Sequence, residues 1–138
     1  MEDRGKIIIM AAAGLLLAGW VFYSLYSASR ADWKEIEQVK PILEEAQKLA
    51  LDYKTVLSGK DLYVGKYVLW CVQNRGEYEV FYKGDTNARL SISNYGRMPK
   101  FPGSKHSSCA DMLLNIEDVR NNRSGAGFIT AEFIYSRE

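Results

Sequence analysis

His106 and Cys109 form an H-x-x-C pair, and Cys71 supplies one further sulfur. Such a set could begin a zinc site or a Cys–His nucleophile. A structural zinc, however, takes about four protein ligands, and a catalytic pair needs a further group to orient its base. With one histidine in the chain and two cysteines, the simpler chemistry is a Cys71–Cys109 disulfide, which belongs to an oxidising compartment. Glu77 and Glu79 are two apart, so on a strand they would share a face. Paired carboxylates can do acid–base work, but this spacing is equally that of the wet side of an antiparallel sheet. We therefore expect no enzyme, no catalytic residue, no metal site and no cofactor.

The richer constellation is cationic and aromatic. Tyr95, Arg97, Lys100, Phe101, Lys105 and His106 crowd one stretch, NYGRMPKFPGSKHSS over 94–108, and no acid occurs between Thr86 and Ala110. Two prolines, two glycines and no apolar rhythm predict a long loop, and loops of that length inside a compact domain often bind. An anionic headgroup, a glycan or an acidic partner would suit it. The alternative is a solvated loop whose charges serve solubility. Asn122-Arg123-Ser124 also fits a glycosylation acceptor, a tripeptide frequent by chance.

The strongest signal lies at the other end. No charge occurs between Lys6 and Arg30, and the run opens IIIMAAAGLLLAGWVFY. At 1.5 Å per helical residue, 7–29 reaches roughly 34 Å, enough for a hydrocarbon core of about 30 Å. Trp20, Tyr23 and Tyr26 gather at the end of the run, where amphipathic rings favour the headgroup layer. A cleaved signal is the rival, with Ser29-Arg30-Ala31 as the cleavage site. The run is too long for one, and the leader MEDRGK is charge-balanced, so 1–30 is expected to be a retained membrane anchor. Gly14 and Ala18 make a small-xxx-small pair that would let another transmembrane helix approach. Basic residues flank both ends and leave orientation open. The cysteines favour the rest of the chain lying outside the cytoplasm, in the manner of a bacterial inner-membrane protein with a periplasmic C-terminal domain.

Setting aside Arg4, Lys6, Arg30, Glu2 and Asp3 from 18 basic and 17 acidic residues leaves a remainder with zero formal charge. A neutral domain has no pull on nucleic acid phosphates. The remaining residues suffice for one core.

Over 31–58 the period is helical. Ile36, Val39, Leu43, Ala46, Ala50, Tyr53 and Leu57 line one face, with Glu35, Glu44, Lys48 and Lys54 opposite. Pro41 predicts a break between a short helix at 32–39 and a longer one at 41–57, closed by Ser58-Gly59. The face could form a coiled-coil stalk, but with alanine at two seam positions it suits packing on the chain's own β domain better.

From 59 onward the period becomes two. Strands are expected at 62–73, 77–83, 88–93, 111–120 and 127–136, with a helix over 111–119 as a rival. YVLWCV, apolar on both faces, suits a central or barrel strand. Tyr78, Val80 and Tyr82 are expected on one face and Glu77, Glu79, Phe81 and Lys83 on the other; Ala88, Leu90 and Ile92 alternate with Arg89, Ser91 and Ser93. The first three strands make a meander, and five strands of this spacing suggest a small barrel of the oligonucleotide/oligosaccharide-binding (OB) type with an unusual third connection.

The order of parts also resembles a type IV pilin or pseudopilin. A short leader ends in Arg4-Gly5, an apolar helix continues into an amphipathic one, and a β meander and a cysteine pair follow. The family has an aromatic residue after the glycine and a glutamate four positions further on, where Lys6 and Met10 stand here. The resemblance would imply processing to a mature N-terminus at Lys6, and loss of the glutamate removes a subunit-register contact. The leading expectation is a membrane-anchored accessory subunit whose β domain meets a protein partner in a membrane assembly. A membrane-tethered domain holding a glycan or lipid headgroup is second and a pilin-like subunit third.

Overall fold

A computed structural model describes residues 2–100, 108–121 and 126–137, with side chains of the first helix described at Met10, at 14–27 and from Lys34 onward. The chain divides into two compact units, Met1–Gln38 and Val39–Glu138.

Helix α1 spans Glu2–Leu49 and carries Pro41 in its interior. The break expected at Pro41 is thus absent. A proline costs one i→i−4 hydrogen bond, but strong helix formers flank it, and Val39 and Ala46 on either side bury into one apolar cluster. The chain turns at Ala50 instead, whose φ of 43° is left-handed and whose N–H still reaches the Ala46 carbonyl at 3.1 Å. Helix α2 (Tyr53–Gly59) then starts afresh behind Asp52, whose carboxylate accepts the Thr55 N–H at 2.7 Å.

Among the described residues no helix is long and apolar enough to cross a membrane, so the span expected over 1–30 is not supported by the fold.

A short 3-10 helix, Lys60–Tyr63, leads into the barrel. Its strands are β1 (Tyr67–Asn74), β2 (Val80–Tyr82), β3 (Arg89–Ile92), β4 (Ala110–Asn121) and β5 (Gly127–Ser136). They close in the order β1-β2-β3-β5-β4, with β4 pairing back to β1. Every seam is antiparallel except β3 against β5. Five strands therefore stand near the expected positions, and 111–119 is strand.

Alternation explains the two apolar faces of β1. Val68, Trp70 and Val72 point into the barrel core with Met112, Leu114, Ile116, Ile129 and Ala131. Tyr67 and Leu69 join Leu113, Ile134 and Tyr135 outside it, where Val39, Ile42, Leu43 and Ala46 of α1 cover them. A register shift between Leu113 and Leu114, and another between Ile116 and Asp118, bend the long β4–β5 pair, as closure of a small barrel requires.

Both barrel ends are stoppered. At one, Tyr53 and Val56 of α2 enter the core, and the Trp70 indole donates to the Leu51 carbonyl at 2.6 Å. At the other, Met98 is buried below a short 3-10 turn, Tyr95–Arg97. Asn94 acts there as a substitute strand residue: its Nδ2 donates to the Phe133 carbonyl at 2.8 Å, and its Oδ1 accepts the Phe133 N–H at 2.7 Å.

The β2–β3 hairpin turns one residue earlier than expected. Lys83 and Gly84 both take positive φ, 51° and 73°, and the Asp85 N–H returns to the Tyr82 carbonyl at 3.0 Å.

Candidate functional site

Cys71 sits on β1, cross-strand from Asp111, and Cys109 stands two residues before that partner. Their Cα atoms are 5.2 Å apart and the sulfurs form a disulfide. Neither sulfur is a free thiol or thiolate in this form. What the disulfide does is pin the end of the 94–108 segment to the barrel wall.

The beginning of that segment is pinned too. Tyr95 is half-buried and donates its hydroxyl to Asn74 Oδ1 at 3.0 Å, while Asn74 Nδ2 donates to the Pro99 carbonyl at 3.2 Å. Asn74 is itself buried, so Tyr95 and Pro99 satisfy a polar side chain that would otherwise be stranded at the barrel rim. Tyr95 is thus a closure residue whose hydroxyl is already engaged. Arg97 and Lys100 are exposed. Phe101, Lys105 and His106 lie outside the described residues, as does the Asn122-Arg123-Ser124 tripeptide.

Arg97 borders an open groove of about 480 Å³ together with Glu77, Ile92, Ser93, Asn94, Tyr95 and Gly96. It places a cation and a carboxylate on one shallow surface, bordered by the Tyr95 ring. Such a surface suits a polar peptide or sugar edge better than a buried small molecule.

The Glu77–Glu79 pair is corrected by the structure. Both lie in the connection before β2, where the Glu79 N–H bonds the Gly76 carbonyl at 2.9 Å and the Arg75 N–H bonds the Glu79 carbonyl at 3.0 Å. That local turn lifts them out of the ladder, so they share no strand face. Tyr78, expected beside Val80 and Tyr82 on one face, is exposed for the same reason. Phe81, expected among the polar positions, is buried. Gly14 and Ala18 stand on α1, and among the described residues a Cβ at Gly14 would meet nothing within 4 Å.

A second cleft, of about 270 Å³, lies over the parallel β3–β5 seam and is lined by Arg89, Ser91 and Phe128. The alternation of Arg89 and Ser91 with buried Leu90 and Ile92 is readable in the sequence. Phe128 comes from a distant strand whose parallel pairing leaves no local trace.

No protein-family model matches the chain, and no curated protein or solved structure is found to match it.

Proposed function

We propose that the protein is a membrane-anchored accessory subunit: the first part of α1 inserts in a membrane assembly, and the barrel unit binds a protein partner outside the cytoplasm. The observation that carries this is the character of α1. Met10, Leu15, Leu16, Leu17, Trp20, Val21, Phe22, Tyr23, Leu25 and Tyr26 are all at least 50% exposed. Consecutive apolar residues occupy every side of a helix, so a single partner face cannot cover them; lipid, or a ring of other helices, can. The uncharged run over 7–29 and its terminal aromatics support lipid. The disulfide fits a barrel on the oxidising side.

The second reading, a tethered OB-like domain for a glycan or lipid headgroup, draws on the Arg97 groove and on the analogy of a five-stranded closed barrel.

Purification of the full chain in mild detergent, with intact mass measured with and without reductant, tests the first reading. Fixed stoichiometric partners and an intact N-terminus support it; a monodisperse lone chain counts against it. A mature N-terminus at Lys6 would instead indicate pilin-type processing. For the second reading, Arg97→Ala combined with Lys100→Ala should weaken binding to an anionic glycan or to anionic vesicles without unfolding the barrel. Unchanged binding removes the groove from consideration.

A further inference from the structure

We infer that the cleft over the β3–β5 seam is a binding site for a small organic carboxylate carrying an aromatic ring. The argument starts from charge. The Arg89 side chain is exposed on β3 and has no ion pair among the described residues. Arg120 stands across the Phe128 ring, its guanidinium 5.9 Å from the ring centroid, but it is already neutralised by Asp118 at 2.8 Å. Among the described residues lining the cleft, Arg89 supplies the one charge, a positive one. One guanidinium holds one carboxylate in two parallel N–H···O bonds and balances its charge, whereas a phosphate dianion held the same way keeps one charge uncompensated.

The remaining walls define the rest of the ligand. Ser91 offers a hydroxyl at the next outward position of the same strand, and Phe128, half-buried on β5, offers an apolar ring surface. Strand register fixes how these groups lie. Leu90 pairs with Ile129, so Arg89 and Phe128 stand side by side one residue earlier on the parallel strands, while Arg120 is the β4 partner of Phe128. Arg120, held by Asp118, lies over the ring on its β4 side, and the cleft adjoins the ring on its β3 side, where an incoming ring can make an offset or edge contact of the kind aromatic pairs favour. A volume of about 270 Å³ admits a single ring with its carboxylate and little more.

The test uses the full isotope-labelled chain in detergent micelles, with benzoate as probe and acetate, benzyl alcohol and inorganic phosphate as comparators. Amide shifts at Ser91 and Phe128 should saturate with benzoate at about millimolar affinity, as expected for so small a ligand. Arg89→Gln should weaken binding about tenfold, Arg89→Lys should restore part of it, and Phe128→Leu should weaken it with the barrel's amide spectrum otherwise retained. Lys66→Gln, at an exposed cation that lines neither groove, should leave benzoate binding unchanged. No saturation by about 20 mM benzoate overturns the inference. So does equal binding of benzyl alcohol, which would make the cleft merely apolar, or tighter binding of phosphate.

Discussion

The Tyr53 hydroxyl donates to the backbone carbonyl of Arg89 at 2.8 Å, and the same hydroxyl lies 3.3 Å from the carbonyl of Gly127. Arg89 opens β3 and Gly127 opens β5, so one side chain from α2 ties together the first residues of the two strands that pair in parallel. The Tyr53 ring stacks on Tyr82 at 5.8 Å and tilts against Trp70 at 6.0 Å, which fixes it within the stopper.

Tyr53→Phe should keep the packing and lose the bridge, at a cost of about 1–2 kcal/mol by urea unfolding. Burial, and after it the negative charge of Asp85, pushes this phenol up to about 12. The raised value means that the folded state holds the proton more tightly than the unfolded chain. Its contribution is whole below the ordinary tyrosine value of about 10 and is lost as pH rises from there through about 12. Urea midpoints recorded from pH 9 to 12 should therefore fall more steeply for the native chain than for Tyr53→Phe. Parallel curves would show that Tyr53 is not the group responsible.

Reduction of Cys71–Cys109 should destabilise the barrel unit. With 38 residues of separation, loop-closure entropy corresponds to about 4 kcal/mol. The urea midpoint measured with and without reductant, and for a double serine variant, checks this. A change below about 1 kcal/mol would mean that the strand ladders of β2 and β3, with Asn74, Asn94 and Met98, hold the segment between the cysteines without the crosslink.

Asn94→Ala removes both halves of the exchange with Phe133 and leaves a β5 N–H and carbonyl unpaired at the rim. A loss of about 2–3 kcal/mol is expected. Asn94→Asp should be nearly as damaging at neutral pH, because a carboxylate keeps the acceptor but cannot donate to the Phe133 carbonyl. An aspartate variant as stable as the native protein would show that the donor half is dispensable.

Gly127→Ala tests the closeness of α2 to the sheet. A Cβ there would collide with Leu57 Cδ1 and lie 2.9 Å from the Arg120 carbonyl oxygen. The leucine can rotate away but the backbone oxygen cannot, so about 1–3 kcal/mol should be lost. Pairing the change with Leu57→Ala should recover only part of that loss in a thermal melt; full recovery would assign the whole cost to Leu57.

The five β segments and the cysteine pair were legible in residue types and spacing because a period of two, turn residues and a pair of cysteines are local signals. The long apolar run over 7–29 is equally local, since hydrophobicity is a property of consecutive residues. The continuity of α1 through Pro41 was not legible, because burial of Val39 and Ala46 against Leu113 outweighs the local penalty and depends on a strand some seventy positions away. Nor was the exposure of Tyr78: a two-residue alternation cannot foresee that the Gly76–Glu79 turn ends the ladder early. Parallel pairing of β3 with β5 belongs to the same class. It sets Arg89 beside Phe128 and lets Tyr53 bridge two strand openings, and it follows from barrel closure, which only the collective burial of Val68, Leu90, Leu114 and Ile129 can drive. Tyr95 shows the division within one residue. Its place in a cationic, aromatic loop was visible at once, while its engagement with Asn74 arose when the barrel rim left a buried amide to be satisfied.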